Sequence, residues 1–293
     1  MYLAYTAIYL ARVNLSMAAP ELMNLKICDA VQIGFLGSAF STVYSVGRLI
    51  NGGISDTAPP WKMIVTGLIA SGISNILVGF FPPYIGIFLM WSVNAYAQSM
   101  LWSSILCVIT SVYDSAEAKK KMSVMITAVA TGNILGIAVN AFFITQFGVR
   151  FAFIIPGAVT VFLGAVVFFT VRDIKGGEKR EKKPLFEALK NRELLLMCIP
   201  SAFHGVMKEN ISLWIAVFVA DKYAVNLKTS AYYILLIPVI GFIGRMLYPF
   251  VFELCKEKEN RVSFIFFGIC LAFSALLCVG NAGMLLSVIA FGA

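Results

Sequence analysis

The chain opens on MYLAYTAIYLARVNLSMAAPELMN, residues 1–24, an apolar run with Arg12 near its middle. The spacing 5, 9, 12 puts Tyr5, Tyr9 and Arg12 on one stripe of a helix, while Leu3, Ile8, Leu10 and Val13 fall on other faces. A guanidinium stays charged at physiological pH and is costly in hydrocarbon, so this stripe must face protein or water. One wet stripe on a helix of membrane length predicts a pathway through a bilayer.

Composition extends that reading to the whole chain. Of 293 residues, 60% are hydrophobic and 13% charged, with a mean hydropathy of +0.87. Globular domains are less apolar, so a water-soluble globule is excluded and an all-α polytopic membrane protein is predicted. Apolar runs predict helices over about 1–22, 31–54, 62–81, 84–112, 122–146, 149–171, 195–220, 229–253 and 262–280. A tenth run, NAGMLLSVIAFGA (281–293), is too short to cross, so the sequence is expected to be truncated within helix 10.

The six cysteines form no CxxC pair and most lie inside apolar runs, which makes them small buried hydrophobes. With His204 the one histidine, no metal centre or cofactor is expected. Basic residues sort the loops. The connections after predicted helices two, four, six and eight hold Lys62, Lys119 to Lys121, a run from Arg172 to Arg192, and Lys256, Lys258 and Arg261. The opposite side carries Lys26, Arg150, Lys222 and Lys228. By the positive-inside rule the N-terminus lies in the cytoplasm. The net charge of +8 therefore reflects topology, and no nucleic-acid partner is implied.

The polar interval RDIKGGEKREKKPLFEALKNRE (172–193), whose second part has the pattern of a short surface helix, divides the chain. The expected domains are 1–173, a six-helix bundle; 174–194, a cytoplasmic linker; and 195–293, an incomplete second bundle of helices 7 to 10. A parallel internal repeat supports that plan. Arg12-Val13-Asn14 matches Lys208-Glu209-Asn210, and Gly47-Arg48 with Asp56 matches Gly244-Arg245 with Glu253, at nearly one offset.

Four cations, Arg12, Arg48, Lys208 and Arg245, fall inside spans, whereas one acid, Glu209, lies at similar depth. The surplus of positive charge implies an anionic cargo or water between the bundles. Arg48 and Arg245 are close enough to helix ends to snorkel instead. Asn94, Gln98 and Trp102 fall on one face, as do Thr127 and Thr131, and suit the oxygens of a phosphate or carboxylate. The same amides and hydroxyls could equally bond helix to helix. Gly34 with Gly37, and Gly132 with Gly136, make faces for close helix contact, and Gly52 with Asp56 suggests gating at a helix end.

Four stretches carry a resemblance: Tyr5, Tyr9, Arg12, Asn14 and Pro20; YSVGRLINGGISD (44–56); NAYAQSMLW (94–102); and KENISLW (208–214). The chain resembles the major facilitator superfamily, and within it the organophosphate:phosphate antiporters. That likeness implies a two-bundle fold of 6+6 helices and a monomeric carrier in a bacterial inner membrane that exchanges a phosphorylated metabolite for phosphate. By position, Arg12, Lys208 and Arg48 would hold the anion, and Tyr5, Tyr9, Tyr44, Gln98 and Trp102 would line the route. Lys208 stands where the family pattern has arginine, and Val129 where its phosphate transporters have histidine. Two other readings stay open. One is a proton- or sodium-coupled carboxylate or sugar-acid symporter, with Glu209 and His204 as coupling candidates; the other is a non-transporting anion sensor. An enzyme is not expected, since no nucleophile and base pair appears at depth.

Overall fold

A computed structural model describes residues 1–55, 58–171, 192–225, 234–256 and 258–279. In these residues the secondary structure is helical throughout. Helix α1 runs Tyr2–Asn24, α2 Ala30–Ser55, α3 Pro60–Gly79, α4 Tyr84–Ser99, α5 Leu101–Val112, α6 Ser115–Phe147 and α7 Phe151–Val171. Beyond the linker come α8, Arg192–Tyr223, α9, Leu236–Leu254, and α10, Glu259–Val279. The linker residues 172–191, with the expected short surface helix, and the expected tenth run both lie outside the described residues, as does Asp56.

Five spans, Ala30–Ser55, Pro60–Gly79, Tyr84–Val112, Ser115–Phe147 and Phe151–Val171, are long and apolar enough to cross a membrane. The protein is an integral, multi-pass membrane protein. Exposed side chains such as Leu3, Phe35, Ile85, Phe162 and Phe169 give the outer surface the apolar character that lipid requires. Helix α1, diluted by Arg12, Asn14 and Ser16, is not among the five spans; it sits inside, packed along α6 and against α7 and α8. Its neighbours shield what it could not expose.

Two predicted boundaries are corrected. The single helix expected over 84–112 is broken at Met100, whose N–H turns to the Ala97 carbonyl at 3.3 Å. The tightening, i to i−3, separates α4 from α5. The helix expected from 122 begins at Ser115, because Asp114 caps it by accepting from the N–H groups of Ala116 and Glu117 at 3.0 and 2.8 Å. That cap carries the helix through the charged turn Lys119 to Lys121, which apolar patterning alone leaves out.

The apolar core has two parts, and they differ in what they join. One combines Leu15 to Leu22 of α1 and Ile33 to Phe40 of α2 with Ile215 to Val219 of α8 and Ile234 before α9. The other gathers Ala4, Tyr5 and Ile8 with residues of α3, α5, α6 and α7, and among the described residues draws nothing from α8 to α10. Among the described residues, the apolar contact between α1 and α8 is thus at the far end of α1 and not at its beginning. At the meeting end Ser16 Oγ donates to the Leu213 carbonyl at 3.0 Å, and Gly37 lies directly against the Leu213 side chain.

Candidate substrate site

Arg12 sits on α1 just before its apolar contact with α8 begins. Its Nη2 donates to Glu209 Oε1 of α8 at 3.1 Å, with the side chains 18% and 35% exposed respectively. Three rings surround the guanidinium carbon: Tyr44 at 4.6 Å, Phe40 at 5.0 Å and Tyr9 at 5.9 Å. Electron-rich ring faces stabilise a cation that has lost part of its water. The surplus of cations expected from the sequence left open which of them Glu209 accompanies, and the structure pairs it with Arg12. The lone acid of the span region lies across the divide and takes the charge, a pairing that only tertiary contact reveals.

The rings continue along α1. Tyr5 packs edge-on to Tyr9 at 5.7 Å, and Trp102 of α5 lies 5.3 Å from Tyr5. On α2, Phe40 and Tyr44 stack at 6.0 Å with their planes 12° apart, and Arg48 follows one turn later, exposed, its guanidinium 5.7 Å from the Tyr44 ring. Tyr44 therefore touches both arginines. Nearer the start of α1, the Tyr2 hydroxyl hydrogen-bonds with Thr127 and Thr131 of α6 at 3.2 and 2.9 Å. Gly132 allows the approach of α6, since a Cβ there would come within 2.7 Å of Tyr9 Cβ and 2.9 Å of the Thr6 carbonyl.

Of the residues singled out in the sequence, the structure brings together Arg12, Arg48, Tyr5, Tyr9, Tyr44, Trp102 and Glu209. Gln98 stands elsewhere. It is buried between helices, with Nε2 donating to the Ala11 carbonyl of α1 at 3.5 Å and to Ser71 Oγ of α3 at 3.4 Å, so it belongs to an interhelical polar network and not to the ring-lined space. Gly52 faces open space, with nothing within 4 Å of an added Cβ. The side chains of Lys208, His204 and Arg245 lie outside the described ones, as does Asp56. Phe40 was missed, although it lies four residues before Tyr44; a phenylalanine in an apolar run carries no signal that separates a lipid face from a cation face. Among the described residues, no group of three His, Cys, Asp or Glu side chains could hold a metal.

A set of membrane-length helices whose halves meet around a paired arginine has the build of a carrier. Residues 1–293 match the Major Facilitator Superfamily, and the chain belongs to that family of transporters. Among its curated relatives is the probable hexose phosphate transport protein of Chlamydia muridarum, 23% identical over 309 residues that cover 94% of this chain and 68% of that protein. Another is the membrane sensor protein UhpC of Salmonella typhimurium, 29% identical over 175 residues, covering 59% of this chain and 39% of that one. The fold matches the inward-facing, occupied crystal structure of a bacterial homolog to the human lysosomal transporter Spinster, with a TM-score of 0.80, 17% identity, and coverage of 100% of this chain and 71% of the other. The resemblance read from the four sequence stretches, to organophosphate:phosphate antiporters, is thereby borne out.

Proposed function

We propose that the chain moves a small phosphorylated anion across the membrane in exchange for phosphate, with Arg12 as the group that takes the phosphoryl end. The observation that carries this reading is the partner that Arg12 has in α8. Glu209, a carboxylate from the opposite half, occupies a position from which a phosphoryl group could displace it. A guanidinium offers planar paired donors that fit phosphate oxygens at least as well as carboxylate oxygens. Trading one anion for the other loosens the tie between α1 and α8, and the halves are then free to rock.

In this reading Lys208 supplies the second cation from the opposite half, and Arg48 attracts the anion from the open end. Tyr5, Tyr9, Tyr44 and Trp102 line its way, while Gly52 and Asp56 serve gating. In this reading the open end and the N-terminus face the cytoplasm across a bacterial inner membrane, an orientation that the distribution of basic loop residues supports. An empty carrier reverts to the Arg12 and Glu209 pair, which favours exchange over one-way flow. The test is uptake of labelled glucose 6-phosphate into phosphate-loaded proteoliposomes, wild type beside Arg12→Ala. The variant is expected to lose uptake, and equal rates in both would remove the site.

A second reading is supported by the likeness to UhpC, whose name is that of a sensor. A sensor would bind the sugar phosphate at the same arginine and pass no flux. Saturable binding without uptake in the same vesicles would select it.

A further inference from the structure

The turn of α1 that bears Arg12 is gripped by side-chain amides from three other helices and by a backbone carbonyl from a fourth. Asn140 of α6 donates to the Leu10 carbonyl at 3.0 Å. Asn94 and Gln98 of α4 donate to the Ala11 carbonyl at 3.3 and 3.5 Å. Asn14 donates outward to Asn75 Oδ1 of α3 at 2.7 Å and to the Ala152 carbonyl of α7 at 3.2 Å. Behind these, Ser71 Oγ donates to Asn94 Oδ1 at 2.6 Å, and Asn75 donates to the Ser71 carbonyl at 3.0 Å. Asn14, Ser71, Asn75, Asn94, Gln98 and Asn140 are each at most 2% exposed.

These bonds are in excess of what α1 needs as a helix. A carbonyl inside a helix is already served by its own backbone, and the additional donors arrive on its second lone pair. They converge on residues 10, 11 and 14, bracketing Arg12 in sequence. A helix among other apolar helices gains little from hydrophobic contact when it turns about its axis, because lipid and neighbours are alike apolar. Buried hydrogen bonds do resist such turning, since each lost bond leaves a polar group dry. One residue's worth of rotation, about 100°, would carry Arg12 off its face.

We propose that Asn14, Asn75, Asn94, Gln98 and Asn140 are positioning residues, a neutral clamp that fixes the rotation of α1 and thereby aims Arg12 at the anion. The functional part of this rests on the reading of Arg12 as the anion's residue. The clamp itself does not. Because no member titrates, its hold is the same at any pH at which the protein is folded. Gln98 then acts on cargo through α1 and never touches it.

The experiment uses the full chain with its six cysteines replaced by serine, carrying either Ile8→Cys or Tyr9→Cys. Ile8 is buried in the apolar core and Tyr9 lines the rings, so a membrane-impermeant maleimide should label position 9 much faster than position 8 in inside-out vesicles. Adding Asn75→Ala, which removes the α3 end of the clamp and bonds Asn14 and the Ser71 carbonyl, not a ring, is expected to reduce that contrast at least about threefold. In exchange assays with glucose 6-phosphate, Asn75→Ala alone should raise KM about tenfold with a smaller change in turnover, as a misaimed binding group does. Ser71→Ala is the milder second variant should Asn75→Ala fail to fold, with folding judged by thermal unfolding in detergent. A folded variant with unchanged labelling contrast and unchanged KM overturns the proposal. If wild type neither binds nor exchanges the sugar phosphate, the proposed function fails, and the labelling contrast still decides the clamp.

Discussion

The Arg12 guanidinium of α1 and the Glu209 carboxylate of α8 meet at 3.1 Å, one from each half of the chain. Removing the carboxylate's charge while keeping its shape frees the arginine for another anion. Glu209→Gln is therefore expected to lower the half-saturating concentration of glucose 6-phosphate about fivefold, the equivalent of the ~1 kcal/mol that a partly exposed pair is worth. It should also raise one-way leak, because the empty carrier loses its tie. Exchange and efflux assays in proteoliposomes measure both.

The contact of α2 with α8 depends on the missing side chain at Gly37, which lies against Leu213. Gly37→Leu has no room there and is expected to part the halves at this end, breaking the bond from Ser16 to the Leu213 carbonyl. A Ser16→Cys reporter, 6% exposed as serine, should become reactive to maleimide applied from the outer face of intact cells. Unchanged labelling would mean that the contact is not held closed by close packing.

Gly132 and Gly52 make a contrasting pair. A Cβ at 132 would press on Tyr9 and on the backbone of Thr6, so Gly132→Val should destabilise by about 1–3 kcal/mol through overpacking. At 52 an added methyl meets nothing, and Gly52→Ala should leave stability unchanged or raise it by up to about 1 kcal/mol through helix propensity. Thermal unfolding in detergent ranks the two. A change in exchange rate at unchanged stability is the mark expected of Gly52 if it serves gating.

Cys28, in the connection between α1 and α2, is 2% exposed, and burial pushes its thiol above the usual range, with the Asp29 charge adding to the effect. Only the thiolate reacts with maleimides. At neutral pH, alkylation of Cys28 is expected to trail that of the half-buried Cys107, and its rate should still be climbing at pH values above the ordinary thiol range. Peptide mapping by mass spectrometry after timed N-ethylmaleimide treatment follows both sites.

Much of this arrangement could be read from residue order alone. The 5, 9, 12 stripe of α1 needs nothing but helical geometry, and it brought Tyr5, Tyr9 and Arg12 to one face as expected. The partner of Arg12 was out of reach, because Glu209 is far along the chain and which acid turns toward which base is decided by how α8 packs on α1. Gln98 shows a different limit. Steps of four put Asn94, Gln98 and Trp102 on one stripe, and all three meet α1, but Trp102 reaches the Tyr5 ring while the two amides turn to the Ala11 carbonyl. In a membrane protein a polar side chain satisfies its bonds as well against a neighbouring helix as in a wet channel, and spacing does not distinguish the two. Helix α6 was read too short because its first turns are charged, and the Asp114 cap that extends them is a local bond, not an apolar pattern.

Tyr44 stands 4.6 Å from one guanidinium and 5.7 Å from the other. Its ring is a cushion shared by two like charges that would otherwise repel through thinner surroundings. Stripping the cushion with Tyr44→Leu unsettles both arginines in one stroke, so its harm should overlap with that of Arg48→Ala and not add to it, whereas Tyr44→Phe keeps the cushion and gives up only a hydroxyl.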